Sequence, residues 1–234
     1  TIFSSLFIGL NTLSKKQESI AFNEIYQTYI TAKDYTVTHE NEFLNEDLTV
    51  NQQAIDEYIS SQVTEKFNEQ SKKYSFMWVK NVWKGDTTTS PIVSYSSFES
   101  YALKNGIVLE ENLEVFKQDY DAITNIIESK YKYNGCYLLI ILSGVITFLA
   151  QFLQTKIQQK KTGVKNPASK TMLIIMPIFM IIFAASSSAL FTLYIIANSI
   201  MSAVISTIID LCQGNDKNEP TKVVYKKGNT EVVE

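Results

Sequence analysis

The chain has 234 residues, with 21 lysines, no arginine, 24 acidic residues, one histidine and a net charge of -3. Its 45% hydrophobic content and mean hydropathy near zero would suit a soluble domain, but the average hides a division: residues 14–135 hold 19 Asp/Glu against 12 Lys, whereas 136–211 is largely apolar. A lone His39, eight glycines and two cysteines leave no material for a catalytic triad, a metal site or a phosphate-cradling loop, so the expectation is no enzyme, no catalytic residue, no metal and no cofactor.

The first segment, residues 1–13 (TIFSSLFIGLNTL), is apolar but short, and reads as a partial transmembrane span whose beginning lies upstream. Nothing in it has the pattern of a cleavable signal peptide. Residues 14–135 form a polar, mainly helical domain. One helix is expected over about 19–33, and a second starts at Asn51 as cap and runs through Ile55, Ile59, Val63 and Phe67 to Lys72 and Lys73. A third covers 109–130, where Leu109, Leu113, Phe116, Tyr120, Ile123 and Ile127 recur three and four apart. Short strands are expected at 35–39 and 92–95. At 75–86, Trp78 and Trp83 flank Lys80 before a polar run, a pattern that suits an interfacial belt with indoles at headgroup depth. A tryptophan core inside the polar domain is the alternative.

The apolar part divides by bilayer thickness. Residues 136–155 make a transmembrane span, whose uncharged stretch covers about 27 Å at 1.5 Å per residue. Residues 172–211 hold forty residues with no charge until Asp210, too long for one span, and read as a transmembrane hairpin turning at Ser186, Ser187 and Ser188. Between them, 156–171 carries Lys156, Lys160, Lys161, Lys165 and Lys170 with no acid, which places this loop in the cytoplasm. It follows that 14–135 is extracytoplasmic, the serine turn faces outward and the tail 212–234 is cytoplasmic. Cys136 and Cys212 then lie at opposite membrane faces, too far apart for a disulfide. The fold class is an all-α polytopic membrane protein: a helical transmembrane bundle with a mainly helical extracytoplasmic domain.

The spans are not uniformly apolar. Gln151, Gln154 and Gln158 line the inner half of the first full span, and the last span carries Thr192, Asn198, Ser199, Ser202, Ser206 and Thr207, with Asn198, Ser202 and Ser206 spaced by four. Ordinary helix packing accounts for serine and threonine, whereas glutamine and asparagine are costlier in lipid and favour a wet cavity open to the cytoplasm. Met172, Met176 and Met180 form a deformable stripe suited to core packing or to varied apolar partners. Pro177 should kink its helix.

The hairpin IMPIFMIIFAASSSALFTLYIIANSI, the preceding FLAQFLQTKI and the stretch SFMWVKNVW (75–83) together, in this order, resemble the YidC/Oxa family of membrane protein insertases. Met176-Pro177-Ile178 and Leu193-Tyr194 with Asn198 carry the likeness, with Ile195 where the family has tryptophan. The resemblance implies a five-span core around a hydrophilic groove, open to cytoplasm and lipid, that passes polar flanks of nascent membrane proteins into the bilayer. On this chain it implies groove residues Gln151, Gln154, Thr192, Tyr194, Asn198, Ser199 and Ser202, interfacial residues Trp78, Lys80 and Trp83, and a bacterial plasma-membrane location. The implied partners are nascent membrane proteins and the lipid bilayer, with the ribosome and the Sec translocon beyond them, and no sequence-specific nucleic acid. The family's groove arginine has no counterpart here, the outer region is enlarged, and the tail balances four Lys with four acids. A transporter or channel component, and a membrane-anchored extracytoplasmic binding domain, are the alternative functions.

Overall fold

A computed structural model describes residues 2–85, 92–130, 134–162, 167–212, 224–227 and 230–233. Asp86 and the polar run after it, Lys165, and Asp216, Lys217, Glu219 and Lys222 of the tail lie outside the described residues. Seven α-helices follow in chain order among them: α1 (Ile2–Thr38), α2 (Gln52–Lys73), α3 (Tyr95–Lys104), α4 (Leu113–Lys130), α5 (Cys136–Thr162), α6 (Pro167–Ala185) and α7 (Ala189–Cys212). In the tail, β1 (Val224–Lys227) pairs antiparallel with β2 (Thr230–Val233). The protein is an all-α membrane protein, with a helical bundle and a mainly helical polar domain.

α1 runs through the boundary expected at residue 13. Its 37 residues form one helix of about 55 Å, joining the expected partial span to the expected helix at 19–33 without interruption. No glycine or proline falls between Leu10 and Thr38, and Lys15, Lys16, Gln17 and Glu18 are all good helix formers, so nothing ends the helix where the polarity changes. The strand expected at 35–39 is likewise absent. Tyr35 to Thr38 complete the last turn of α1, and the His39 amide donates to the Tyr35 carbonyl at 2.9 Å. Continuity with a long helix outweighs the β preference of two threonines and a valine. The segment at 92–95 makes no strand either: Ile92 and Val93 are buried in the core, and Tyr95 opens α3, which sequence periodicity had not marked.

α2 forms as its cap dictates and α4 as its stripe dictates from Leu113 on, whereas Leu109, the expected first member of that stripe, precedes a short 3-10 turn and is exposed. The Asn51 side chain accepts from the Ala54 amide at 3.0 Å, satisfying one of the first-turn donors, and Lys72 and Lys73 sit in the last turn. On α4, Phe116, Tyr120, Ile123 and Ile127 are buried. They pack with Phe22, Ile25 and Tyr29 of α1, Val63 of α2 and Phe98 of α3 into the core of the polar domain. Phe98 is fully buried, edge-on to Phe22 at 4.7 Å and stacked on Phe116 at 5.1 Å. The Tyr120 hydroxyl reaches the Val93 carbonyl at 2.7 Å, so the ring is buried without orphaning its polar end.

The bundle is built from α5 lying along α6 and α7, with α6 and α7 turning back at Ser186–Ser188 as the hydropathy requires. Cys136–Lys160 and Ala189–Cys212 are each long and apolar enough to cross a membrane, while the apolar part of α6, Thr171–Ala185, is shorter. α6 continues through the buried Pro177. Ile141, Leu149, Ile174, Ile182 and Ile208 point outward and are each at least half exposed, an apolar surface that water would not tolerate and lipid does. The methionines divide: Met172 and Met176 are exposed, and Met180 packs against the bundle core.

Replacing Phe98 by Ala should cost about 3–5 kcal/mol of stability, whereas Ala at the exposed Leu109 should stay within about 0.5 kcal/mol. Thermal unfolding of the full chain in detergent compares them. Equal losses would mean that the aromatic cluster is not the core of the domain.

Candidate functional site

The tryptophan segment is a connector between the two halves of the molecule. Phe76 and Val79 exchange amide–carbonyl bonds at 2.9 Å in each direction, making a tight turn with Met77 at φ 52° and Phe76, Met77 and Trp78 exposed at its tip. The segment then runs against the start of α5. Lys80 N–H donates to the Asn134 carbonyl (3.0 Å), Asn81 N–H to the Asn134 side-chain oxygen (2.8 Å), and the Asn134 amide donates to the carbonyls of Asn81 (2.7 Å) and Lys84 (3.0 Å). It also caps α7. The amides of Ala189 and Leu190 donate to the carbonyls of Lys84 (2.8 Å) and Val82 (2.6 Å), which satisfies donors that a helix N-terminus otherwise leaves unpaired. Lys80 is exposed, and Trp83 is half-buried, edge-on to Tyr74 at 6.4 Å.

Gly135 makes this approach possible. Its φ is +88°, and a Cβ there would lie 2.9 Å from the Trp78 carbonyl oxygen. Gly135→Ala should therefore destabilise the chain by more than the ~1–2 kcal/mol that a positive φ alone imposes. Gly106 also has a positive φ, +66°, but open space around it, so Gly106→Ala is the reference. Equal losses in detergent unfolding would remove the close contact from the argument.

Beside this connector, Ser14 of α1 donates to Ser188 in the hairpin turn at 2.9 Å, both buried. Glu18 and Lys84 lie near them. Burial raises the Glu18 carboxyl to about 7 in spite of Lys84 and Lys15, and burial lowers the Lys84 ammonium to about 8 in spite of Glu18 and Glu128. Ser188 was marked by the sequence as part of the hairpin turn, but Ser14, Glu18 and Lys84 were not, because their meeting depends on contacts up to 174 residues apart.

The polar residues of the bundle form two facing stripes. On α5 the stripe begins earlier than the glutamines: Ser143 and Thr147 are buried, Gln151 and Gln154 half-buried, in helical succession. Thr147 is the contact point, its hydroxyl 3.1 Å from that of Ser199 on α7. On α7, Thr192 is buried near the hairpin turn, its hydroxyl facing the Ser188 carbonyl at 3.4 Å; Ser202 and Ser206 are half-buried and Asn198 is exposed. Tyr194 is 36% exposed. The seven residues named from sequence are thus spread along two helices, with Ser199 bonded across to α5 and Thr192 apart at the turn. The signal for Ser143 and Thr147 was present, since they lie eight and four residues before Gln151.

Two apolar helices long enough to cross a membrane, a third folded back beside them and a polar seam between define a helical membrane protein. The profile of the 60Kd inner membrane protein family matches residues 58–215, more than half of the chain, from α2 to the end of α7. The chain belongs to this family, the YidC/Oxa membrane protein insertases, which are not enzymes. No curated protein and no solved structure matched it.

Proposed function

We propose that this chain acts in insertion through a groove between α5 and α7 that takes the polar flank of a nascent membrane protein. One observation carries the reading. The side-chain amides of Gln151, Gln154 and Asn198 make no hydrogen bond among the described residues, on helices otherwise built for lipid. An amide in hydrocarbon without a partner costs several kcal/mol, so water or a client's polar groups must meet these three. Tyr194, Ser199, Ser202 and, at its closed end, Thr192 complete the walls. A wet seam of this kind lowers the cost of moving a polar flank, while the client's apolar segment leaves sideways into lipid. The short apolar stretch of α6 suits a locally thinned bilayer. The clients are nascent membrane proteins, and the ribosome and Sec translocon are the machines that would deliver them.

Photo-crosslinkers at Asn198 and Ser202 in the complete functional protein should capture a stalled nascent membrane protein, and crosslinkers at the outward Ile200 and Ile208 should capture lipid. Replacing Gln154, Asn198 and Ser202 together by Leu should slow insertion of clients with polar flanks more than of purely apolar ones. A triple variant that inserts both at the normal rate would reduce the seam to packing.

The same reading makes the bundle multi-pass in the bacterial plasma membrane, with the basic loop cytoplasmic and the polar domain extracytoplasmic. It is supported by the lysines after Gln154, set against the acidic polar domain. A cysteine at the exposed Leu48 should react with impermeant maleimide in intact cells, and one at Lys160 only after lysis. The reverse pattern would invert the topology.

A further inference from the structure

Where the bundle meets the polar domain lies a cavity of about 490 Å³. Its lining includes Phe7 and Asn11 of α1, Lys15 and Glu18 one to three turns further along the same helix, the serine turn at Ser186–Ser188, and Lys84 of the connector. One wall is therefore on the apolar end of α1, where Phe7 is edge-on to Phe183 and Phe191 of the hairpin, and the other is on the polar domain. Two lysines, one carboxylate and a row of hydroxyls sit where the apolar surface of the bundle gives way to the polar domain.

This chemistry is graded in the way an amphiphile is graded. Ammonium groups and hydroxyls together suit a phosphodiester, which is anionic and accepts several hydrogen bonds. The carboxylate beside them is out of place in a site for a bare anion, and in place if the ligand carries a donor next to its phosphate. Glu18 is already within the field of Lys84 and Lys15, so a ligand must meet the three groups as a set.

We propose that this cavity holds the headgroup of a phospholipid from the leaflet on the polar-domain side, its phosphate facing Lys15 and Lys84 and its ammonium or hydroxyl donating to Glu18. The site is separate from the α5–α7 seam, and does not depend on which face of the membrane the polar domain occupies. A bound headgroup there touches α1, the connector and the hairpin turn at once, and so fastens the polar domain to the bundle at the membrane surface.

Trp83 lines the same cavity and serves as reporter once Trp78 is replaced by Phe. The full chain is placed in phosphatidylcholine nanodiscs containing increasing phosphatidylethanolamine or phosphatidylglycerol, and Trp83 emission and the unfolding midpoint are followed. Both added lipids should shift the emission and raise the midpoint. Pure phosphatidylcholine, whose quaternary ammonium has no N–H, should do neither. Lys84→Met should weaken the response about tenfold, as loss of one charge-assisted hydrogen bond predicts, while Lys84→Arg retains it. Glu18→Ala should abolish the preference over phosphatidylcholine. Soluble glycerophosphoethanolamine giving the full response in detergent would make the ligand a free phosphodiester and overturn the lipid assignment. A parent protein blind to headgroup, or Lys84→Met and Glu18→Ala variants that respond as the parent does, would overturn the site itself.

Discussion

Everything at the junction of the two halves depends on the carbonyl of Lys84. It accepts from the Ala189 amide, from the Asn134 side chain and, at 3.3 Å, from the Cys136 thiol. The connector, the start of α5 and the start of α7 are thereby held at one point. A helix that begins at a membrane surface has first-turn amides with little water to take them, and each unpaired one is expensive. Here α7 starts against two carbonyls supplied by the connector, so the position of the last helix is fixed by a segment more than a hundred residues earlier. Asn134 makes the arrangement specific, because its side chain satisfies an amide and two carbonyls of the connector together, and an apolar side chain in its place would leave the Asn81 amide unpaired and remove one donor from each of the Asn81 and Lys84 carbonyls.

α1 carries that constraint into both cores. Phe7 packs on two hairpin phenylalanines, Ser14 bonds to the hairpin turn, and Phe22 enters the aromatic cluster of the polar domain, all on one uninterrupted helix. A stiff helix shared by two cores sets the angle between them, whereas a loop at residue 14 would have left them to swivel. Gly135 and the capped α7 set the second connection. The polar domain is thus attached at two places, through a helix and through the connector.

What the sequence revealed follows the range of the forces involved. The hairpin turn at Ser186–Ser188, the Asn51 cap and the α4 stripe are local signals, and each lies where its residues indicated. α3 was missed because its ten residues are too few for the spacing of Tyr95, Phe98, Tyr101 and Ala102 to stand out, and its anchor Phe98 is meaningful only beside Phe22 and Phe116. The strands expected at 35–39 and 92–95 failed for the same reason in reverse: local β preference lost to a long helix in one case and to core burial in the other. Gln154 and Asn198 were visible as polar residues out of place, while Asn134, Glu18 and Lys84 looked like ordinary surface residues until the fold brought them together.

The polar residues of the bundle are not equivalent, and lipid as solvent separates them. The hydroxyls are largely self-sufficient: Ser143 donates to the Ile140 carbonyl, Thr207 to the Ala203 carbonyl, Thr192 faces that of Ser188, and Thr147 and Ser199 bond to each other. A hydroxyl bonded back to its own helix loses little in hydrocarbon, so serine and threonine in a span say little about water. A primary amide has two donors and a carbonyl on a longer arm, and the preceding turn of helix cannot satisfy it. In the proposed function it is therefore Gln151, Gln154 and Asn198, and not the hydroxyls, that would draw water or a client into the seam. The burial of the α5 stripe is complete at Ser143 and Thr147, toward the hairpin turn, and partial at Gln151 and Gln154, toward the basic loop. On the proposed reading, a seam sealed by hydroxyls at one end and carrying unsatisfied amides beyond them would admit water from one side only. Such an asymmetry would let a polar segment enter the bundle without opening a continuous path across the membrane.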